Sequence, residues 1–337
     1  MSLNELWFIL IAVLFVGFFF LEGFDFGVGM SSPFLGKTDH DRRILINTIG
    51  PFWDANEVWL ITAAGAMFAA FPHWYSTMFS GYYILLTFIL LALICRGVAF
   101  EFRGKLENQK WRKTWDTAIF IGSFFPPLFF GMLFASMIRG MPIDATMNMS
   151  AGFADIVNLY SITGGVAVVA LCLLHGLTFI SLRTEGALRE KARKTALFVW
   201  PIAIVLLGLL AVQTIVETNL FEKRAIVMYS AVAIAAVVAV LAYQFIRKQR
   251  EGLAFGMSGL LIAVTFIALF AGLFPTLMVS SLDSAFDLTV YNAASGSYTL
   301  KAMTIVTAII LPFVLAYQTW SYFVFHKRVT SKKDLEY

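Results

Sequence analysis

Charged residues are scarce in this 337-residue chain: Asp, Glu, Lys and Arg make up 14% of it, while 59% of the residues are hydrophobic. The mean hydropathy is +0.79. A composition this apolar excludes a soluble globular domain and is typical of a polytopic membrane protein. Cysteine and histidine are also rare, and the sequence has no zinc-site spacing, P-loop or catalytic-triad motif. A self-contained metal centre or hydrolytic site is therefore not indicated.

Long apolar runs dominate what is present. Each is long enough for the roughly 20-residue helix that crosses a bilayer. The runs are continuous rather than alternating, and backbone groups find no water in the hydrocarbon, so helices are favoured over a barrel. The sequence predicts an all-α fold with nine transmembrane helices, at about 6–31, 52–72, 80–100, 114–139, 158–182, 195–216, 225–246, 254–279 and 302–326.

No linker, charge block or low-complexity segment divides the chain, so residues 1–337 are predicted to form a single transmembrane domain. Phe-Pro pairs and polar-Gly steps recur in spans that are four apart. This recurrence favours two parallel four-helix repeats, at 1–140 and 158–280, followed by a ninth helix at 302–326. The alternative is that the prolines are unrelated kinks, which are common in membrane helices.

Most of the 25 Lys and Arg residues fall in the loops after spans one, three, five and seven and in the C-terminal tail, which contains Lys332 and Lys333. Because cytoplasmic loops carry an excess of Lys and Arg, the N-terminus is predicted outside and the C-terminus inside. The first span has no basic segment before it, so it is not predicted to be a removed signal peptide. The net charge of +4 reflects topology, and no nucleic-acid partner is indicated.

Four carboxylates lie in the first two apolar runs, just inside their ends: Glu22 and Asp25 in LEGFDFGVG, and Asp54 and Glu57 in PFWDANEVWL. An ionised carboxylate within a span costs roughly 2.5 to 3.5 kcal/mol on insertion scales, so such groups usually face protein, water or a proton path. Each pair shares a helix face at i, i+3. Like charges this close in a low dielectric do not all ionise easily, which suits proton transfer. Asp25, Asp54 and Glu57 are therefore candidates for a proton route.

Capping is the competing interpretation of Asp54 and Glu57, because the helix dipole and free N–H groups favour negative charge in the first turns of span two. Asp116 is expected to cap span four in the same way. Arg96, in span three, is the predicted counter-ion for one of the acids, since a buried arginine is seldom left unpaired. Trp53 flanks the Asp54 motif.

A redox membrane protein normally needs axial His or Met ligands to hold haem. Three of the four histidines lie in loops or at span ends, and only His175 is predicted within a span. A lone histidine is more often packed or hydrogen-bonded, so the chain is predicted to bind no haem itself. Cys95 and Cys172 are interpreted as small buried hydrophobes.

Four segments resemble subunit II of the cytochrome bd quinol oxidase: GFDFGVGM at 23–30, RRILINTIGPFWDANEVWLITAAGAMFAAFP at 42–72, WRKTWDTAIFIGSFFPPLFFG at 111–131 and FAGLFPTLMVSS at 270–281. They occur in the family's order and include polar residues inside spans. The resemblance implies a haem-bearing, homologously folded subunit I as partner, with haems b and d there and none in this chain. It also implies that the complex oxidises quinol, reduces O2 to water and takes its protons from the cytoplasm.

The resemblance further implies that Asp54 lines a cytoplasmic proton route. Asp25 and Glu57 stay candidates for that route, and position 57 is Gln in some relatives. Asp25, Arg96 and Trp53 would support the interface with the haem-bearing subunit. Quinone is expected as a substrate or structural ligand of the complex, small single-span subunits and lipid as further partners, and the bacterial cytoplasmic membrane as location. Two other classes stay open: a proton-coupled secondary transporter, and a purely structural scaffold subunit in which Asp54 is a cap.

Overall fold

The computed structural model describes residues 1–329, so Lys332 and Lys333 of the predicted cytoplasmic tail lie outside the described residues. Near the C-terminal end, residues 276–278 pair antiparallel with residues 288–289, and a 3-10 turn at Ser284–Phe286 separates these two short strands. The predicted all-α fold is confirmed. In chain order the described elements are α1 (Leu3–Leu35), α2 (Asp39–Ile49), α3 (Trp53–Ala70), α4 (Pro72–Gly81), α5 (Tyr83–Arg103), α6 (Gln109–Arg139), α7 (Phe153–Ile156), α8 (Leu159–Arg183), α9 (Gly186–Glu217), α10 (Leu220–Lys223), α11 (Ala225–Arg247), α12 (Glu251–Leu273), β1 (Thr276–Met278), β2 (Leu288–Thr289) and α13 (Ser297–Val324).

Eight helices of the described part of the chain are long and apolar enough to cross a membrane: α1, α5, α6, α8, α9, α11, α12 and α13. Each coincides with a predicted span, but the bounds differ: α1 ends later than predicted, α6, α9 and α13 begin earlier, and α12 ends earlier. The predicted span 254–279 runs too far, because α12 ends at Leu273 and residues 276–278 form β1. Pro275 has no backbone N–H to continue the helical hydrogen bonds.

Helix α3 occupies the remaining predicted span, 52–72. Its 18 residues measure about 27 Å, slightly less than a hydrocarbon core of about 30 Å, and its first turns carry polar side chains. At its start, the Phe52 ring stacks on Tyr322 near the end of α13, with centroids 4.4 Å apart. At its other end, the Ala70 carbonyl accepts a hydrogen bond from the Ser295 N–H, just before α13 begins, at 2.9 Å. These contacts favour a helix that crosses beside α13; the nine-span count and the orientation stay predictions.

Glycines allow the central helices α1, α6 and α8 to approach closely. Gly27 of α1 faces Gly176 of α8, and a β-carbon on either glycine would overlap the other backbone. The two helix backbones therefore pack in direct contact at this point. Pro126 lies inside α6, whereas Pro275 follows the end of α12, so the two Phe-Pro pairs are not placed alike. The two repeats and the single domain stay predictions.

The two longest polar connections, 141–157 and 281–301, dock on each other at the end of the molecule where α3 finishes. The Met141 N–H donates to the Val279 carbonyl and the Met141 carbonyl accepts from the Ser281 N–H, both at 2.9 Å. The Ser280 hydroxyl donates to the Ile143 carbonyl at 2.7 Å. The helix ends on this side are therefore covered by an ordered layer of backbone hydrogen bonds.

Two aspartates brace this layer. The Asp144 carboxylate accepts from the Thr146 hydroxyl at 2.6 Å and from the Thr146 and Asn148 N–H groups, and these hydrogen bonds hold the pKa of Asp144 below its usual range. The Asp287 carboxylate accepts from the Ser280 N–H at 2.8 Å, and partial burial raises the pKa of Asp287. Both carboxylates act as local braces of loop structure.

Candidate functional site

A buried arginine lies between three helices near the middle of the molecule. Arg96 of α5 is completely buried and forms ion pairs with Glu22 of α1 and Glu57 of α3, the latter at 2.5 Å. Its guanidinium also lies over the Phe26 ring, 4.6 Å from the centroid. Arg96 is predicted to be the counter-ion of one acid, and the structure pairs it with two. Because it has no exposed surface, any support it gives to a subunit interface acts through Glu57, whose side chain is 21% exposed.

Asp25 lies one helical turn beyond Glu22 and is also completely buried. Its Oδ2 accepts a hydrogen bond from the Asn56 amide at 2.7 Å, and the Asn56 carbonyl accepts one from the Tyr322 hydroxyl at 2.9 Å. Oδ1 of Asp25 and Oε2 of Glu22 have no hydrogen-bond partner among the described residues. Glu22 and Glu57 thus share one guanidinium, while Asp25 is bound by the neutral Asn56 amide. A low-dielectric interior disfavours several neighbouring carboxyl groups being ionised together.

Helix α1 is longer than the predicted span. That span ended at residue 31, with Glu22 and Asp25 just inside its end. The helix continues to Leu35, so the two residues lie about 20 Å and about 15 Å from the helix end. Two residues before Pro33, the Ser31 hydroxyl donates to the Gly27 carbonyl within the helix.

Asp54 stands apart from this cluster. It is exposed in the first turn of α3, on a face that also exposes Val58 and Ile61. Within residues 1–329 its carboxylate makes no hydrogen bond or ion pair, and the residue at the N-cap, Phe52, has no side-chain capping bond. Of the two interactions that the capping interpretation invoked, the favourable interaction of Asp54 with the helix dipole is therefore the one that remains. Trp53 turns into the chain and packs against Phe100, with centroids 5.2 Å apart.

The predicted cap at Asp116 is wrong. Helix α6 begins at Gln109 and is capped by Asn108, so Asp116 lies about two turns inside it. Its carboxylate instead forms ion pairs with Arg103 at 2.6 Å and Arg42 at 2.7 Å. The helix starts earlier than the apolar run because its charged first turns lie beyond the hydrocarbon. Asp116 thus clamps α2, α5 and α6 together.

His175 is completely buried, and its two ring nitrogens are both engaged. Nδ1 lies 2.8 Å from the Ser258 hydroxyl and Nε2 lies 3.0 Å from the Phe20 carbonyl, while the ring stacks on Phe255 at 4.5 Å. A histidine held in this way does not fit an axial haem ligand. In the described part of the chain, no cluster of three or more His, Cys, Asp or Glu is arranged to hold a metal ion.

The two cysteines differ. Cys172 is buried as predicted, but Cys95 is exposed on α5, so its interpretation as a buried hydrophobe is wrong for this chain by itself. The cysteine lies on the outward face of α5, together with Leu91, Ile94 and Val98. Such a face meets lipid or another membrane subunit.

An apolar cavity of about 260 Å³ lies between α6, α8, α9, α11 and α12. Its lining includes Gly131, Gly164, Ala235 and Phe266. Tyr160 and Thr214 contribute hydroxyls, which are 2.9 Å apart, and Thr214 donates onward to the Leu210 carbonyl. These polar groups therefore satisfy each other, and the remaining surface is suited to an apolar chain.

Fold and site together define a polytopic α-helical membrane protein with a cluster of acids around one buried arginine. The chain belongs to the family Cytochrome bd terminal oxidase subunit II, which matches residues 3–325. It is 55% identical to the cytochrome bd ubiquinol oxidase subunit 2 of Bacillus subtilis (strain 168), over 100% of this chain and 99% of that protein. It is 34% identical to the cytochrome bd-I ubiquinol oxidase subunit 2 of Escherichia coli (strain K12), over 99% and 97%.

A solved structure of the bd oxidase from Geobacillus thermodenitrificans contains a chain of the same fold, with a TM-score of 0.79 and 17% identity, covering 97% of this chain and 100% of that one. The resemblance noted from the sequence is confirmed. The chain is a subunit of a quinol:O2 oxidoreductase complex in the bacterial cytoplasmic membrane, and subunit II implies a subunit I as its partner.

Proposed function

We propose that this chain delivers protons from the cytoplasm toward the oxygen-reducing site of the partner subunit. The observation that carries the proposal is the graded burial of the acids: Asp54 is exposed, Glu57 is 21% exposed, and Glu22 and Asp25 are completely buried. Carboxyl groups at increasing depth suit stepwise proton transfer, because each can both accept and release a proton.

In this proposal the acids have separate tasks. Asp54 accepts a proton at the helix end and passes it along α3 to Glu57. Glu57 contacts Arg96, and the guanidinium offsets negative charge on Glu57 and Glu22 so that neither acid is stranded as a lone buried anion. Asp25, bound to the neutral Asn56 amide, is a completely buried acceptor on α1.

We place haems b and d in subunit I, and because His175 does not fit an axial ligand, no step of this route passes through haem in this chain. Trp53 and Arg96 would support the interface with that subunit from inside the chain. Small single-span subunits and lipid are proposed to cover the exposed apolar faces of α9, α11 and α13, which the chain leaves largely unburied.

Quinone is proposed as the substrate of the complex and as a structural ligand. The cavity between α6, α8, α9, α11 and α12 suits an isoprenoid tail, since its lining is apolar and its hydroxyls are already paired. Extraction of purified complex with organic solvent should then recover quinone, and Ala235→Trp, which fills the cavity, should reduce the amount per complex. An equal yield from both would reject this location.

The proton route is tested with the purified complex carrying Asp54→Asn. The amide keeps the shape of the side chain but does not transfer protons as a carboxyl does, so we expect oxygen reduction to slow by roughly 10²-fold with haem content unchanged. The matched control is Glu101→Gln, which replaces an exposed acid on a different helix, α5. This variant should turn over at the parent rate.

Two results would point elsewhere. Parent turnover in Asp54→Asn across pH 6 to 9, with Glu57→Gln also unaffected, would leave this chain as a structural scaffold in which Asp54 only interacts with the helix dipole. Transport of a solute by the complex, coupled to protons and abolished by the same substitutions, would instead favour the transporter.

A further inference from the structure

Helix α13 is attached to the rest of the chain by a few polar contacts. Of its 28 residues only Leu300 is buried. Near its start, the Trp7 indole N–H donates to the Leu300 carbonyl at 3.2 Å. Near its end, two side chains one helical turn apart, Gln318 and Tyr322, bind α3. Hydrophobic packing alone therefore does not explain how α13 is held against the rest of the chain.

The two contacts near the end of α13 differ in what they reach. Gln318 accepts a hydrogen bond from the Trp59 indole N–H at 3.0 Å, and neither residue touches an acid. Tyr322 donates to the Asn56 carbonyl at 2.9 Å, and the Asn56 amide donates to Asp25 at 2.7 Å. Only the second contact continues into the buried cluster.

A side-chain amide is polar along its length, with an acceptor at one end and donors at the other. Because the Tyr322 hydroxyl occupies the carbonyl end of Asn56, the amide must present its N–H to Asp25. An ionised carboxylate only accepts hydrogen bonds, whereas a protonated one also donates. With the hydroxyl removed, the Asn56 carbonyl loses its donor. Of the contacts that oppose a turn offering the carbonyl to Asp25, the 3.4 Å contact between the amide nitrogen and the Leu21 carbonyl then remains.

We propose that Tyr322 is a positioning residue of the proton route, which fixes the Asn56 amide so that its N–H faces the Asp25 carboxyl. The inference rests on the proposed function and adds α13 to it. Asp25 faces further charged or titratable groups on its own helix and on the neighbouring ones, namely Glu22 on α1, Glu57 on α3 and Arg96 on α5. None of these reaches the Asn56 carbonyl, which Tyr322 holds. The Leu21 carbonyl, 3.4 Å from the amide nitrogen, supports the same orientation through a longer contact.

Tyr322→Phe in the purified two-subunit complex is the test, because it keeps the ring that stacks on Phe52 and removes only the hydroxyl. We expect kcat for oxygen reduction to fall roughly two- to tenfold, the range of one hydrogen bond, with the KM for quinol unchanged and a larger solvent isotope effect in D2O. Gln318→Leu, which removes the neighbouring contact, is the matched control and should keep the parent kcat and isotope effect.

Equal losses in Tyr322→Phe and Gln318→Leu, or loss of haem and subunit stoichiometry in Tyr322→Phe, would show that Tyr322 only anchors α13 and would overturn the inference. An unchanged kcat in Tyr322→Phe would overturn it too. Asp25→Asn separates failure of the proposed proton route from failure of the role of Tyr322 in it. If this variant assembles and turns over like the parent, the proposed route through Asp25 fails. If it is slow while Tyr322→Phe is not, only the role of Tyr322 fails.

Discussion

Arg96 has no contact with solvent, so its charge is balanced entirely by side chains of this chain. Removing one member of a buried ion pair is strongly destabilising, by about 3 to 5 kcal/mol, since the remaining charge is left uncompensated. Arg96→Ala should therefore leave Glu22 as an unpaired buried acid. We expect the yield of assembled complex and its haem content to fall, measured by subunit ratio and visible spectrum after purification.

Glu22→Gln in the Arg96→Ala background is the control for that prediction. The double variant removes the stranded carboxylate, while Glu57 keeps partial access to the surface. Assembly should recover at least in part. If the double variant assembles no better than Arg96→Ala, packing of the guanidinium against Phe26 rather than charge is what matters.

Glu57→Gln tests the middle of the route. Glutamine still accepts a hydrogen bond from Arg96 but carries no proton between neighbours. We expect an assembled complex with full haem content and oxygen reduction slowed about as much as in Asp54→Asn, because each proton that enters at Asp54 then passes to Glu57. Turnover in stopped-flow or oxygen-electrode assays that matches the parent would remove Glu57 from the route.

The sequence indicates the acids and their counter-ion, because a carboxylate or guanidinium in an apolar run is visible without any structure. It does not indicate Tyr322, which lies 266 positions from Asn56 along the chain. Only the packing of α13 against α3 brings the two together. The full length of α1 also escapes, since hydropathy ends the first span at residue 31 whereas the helix continues to Leu35.

Helix α3 is the element whose course matters most for topology. The positions of the other spans follow from hydropathy. The short helices α2 and α4, which flank α3, are not predicted by hydropathy because they lie outside the apolar runs. Ser76 of α4 is exposed, and its neighbour Thr77 donates to the Met147 carbonyl in the connection 141–157. Lys37 lies at the other end of α3, between α1 and α2.

We therefore predict that Ser76→Cys is labelled from outside by a membrane-impermeant maleimide in spheroplasts, while Lys37→Cys is labelled only after lysis. The parent chain, with Cys95 and Cys172, gives the background. Reporter fusions near Arg103 and Arg189 should report cytoplasm, and fusions near Asp144 and Asp287 the outside. Identical labelling of the two new cysteines would mean that α3 does not cross and that the nine-span count is wrong.

At the scale of the whole molecule, aromatic and small residues of α1, α6, α8 and α12 form much of the core. His175 lies buried within it. His175 is bound to Ser258 and to the Phe20 carbonyl and is covered by Phe255. To bind iron, one nitrogen would have to give up its hydrogen bond and the helix packing at Gly259, against which the ring lies, would have to open.

We accordingly predict that this chain, expressed and purified without its partner, contains less than one haem per chain by pyridine haemochrome analysis. In the purified two-subunit complex, the haem should be bound by subunit I. His175→Ala removes a buried ring and leaves Ser258 and Phe20 without their partner, so it should lower thermal stability by about 1 to 3 kcal/mol. In the assembled complex it should not remove a haem band. One haem per isolated chain that disappears in His175→Ala would show that the histidine rearranges to bind iron, and the division of labour between the two subunits would have to be redrawn.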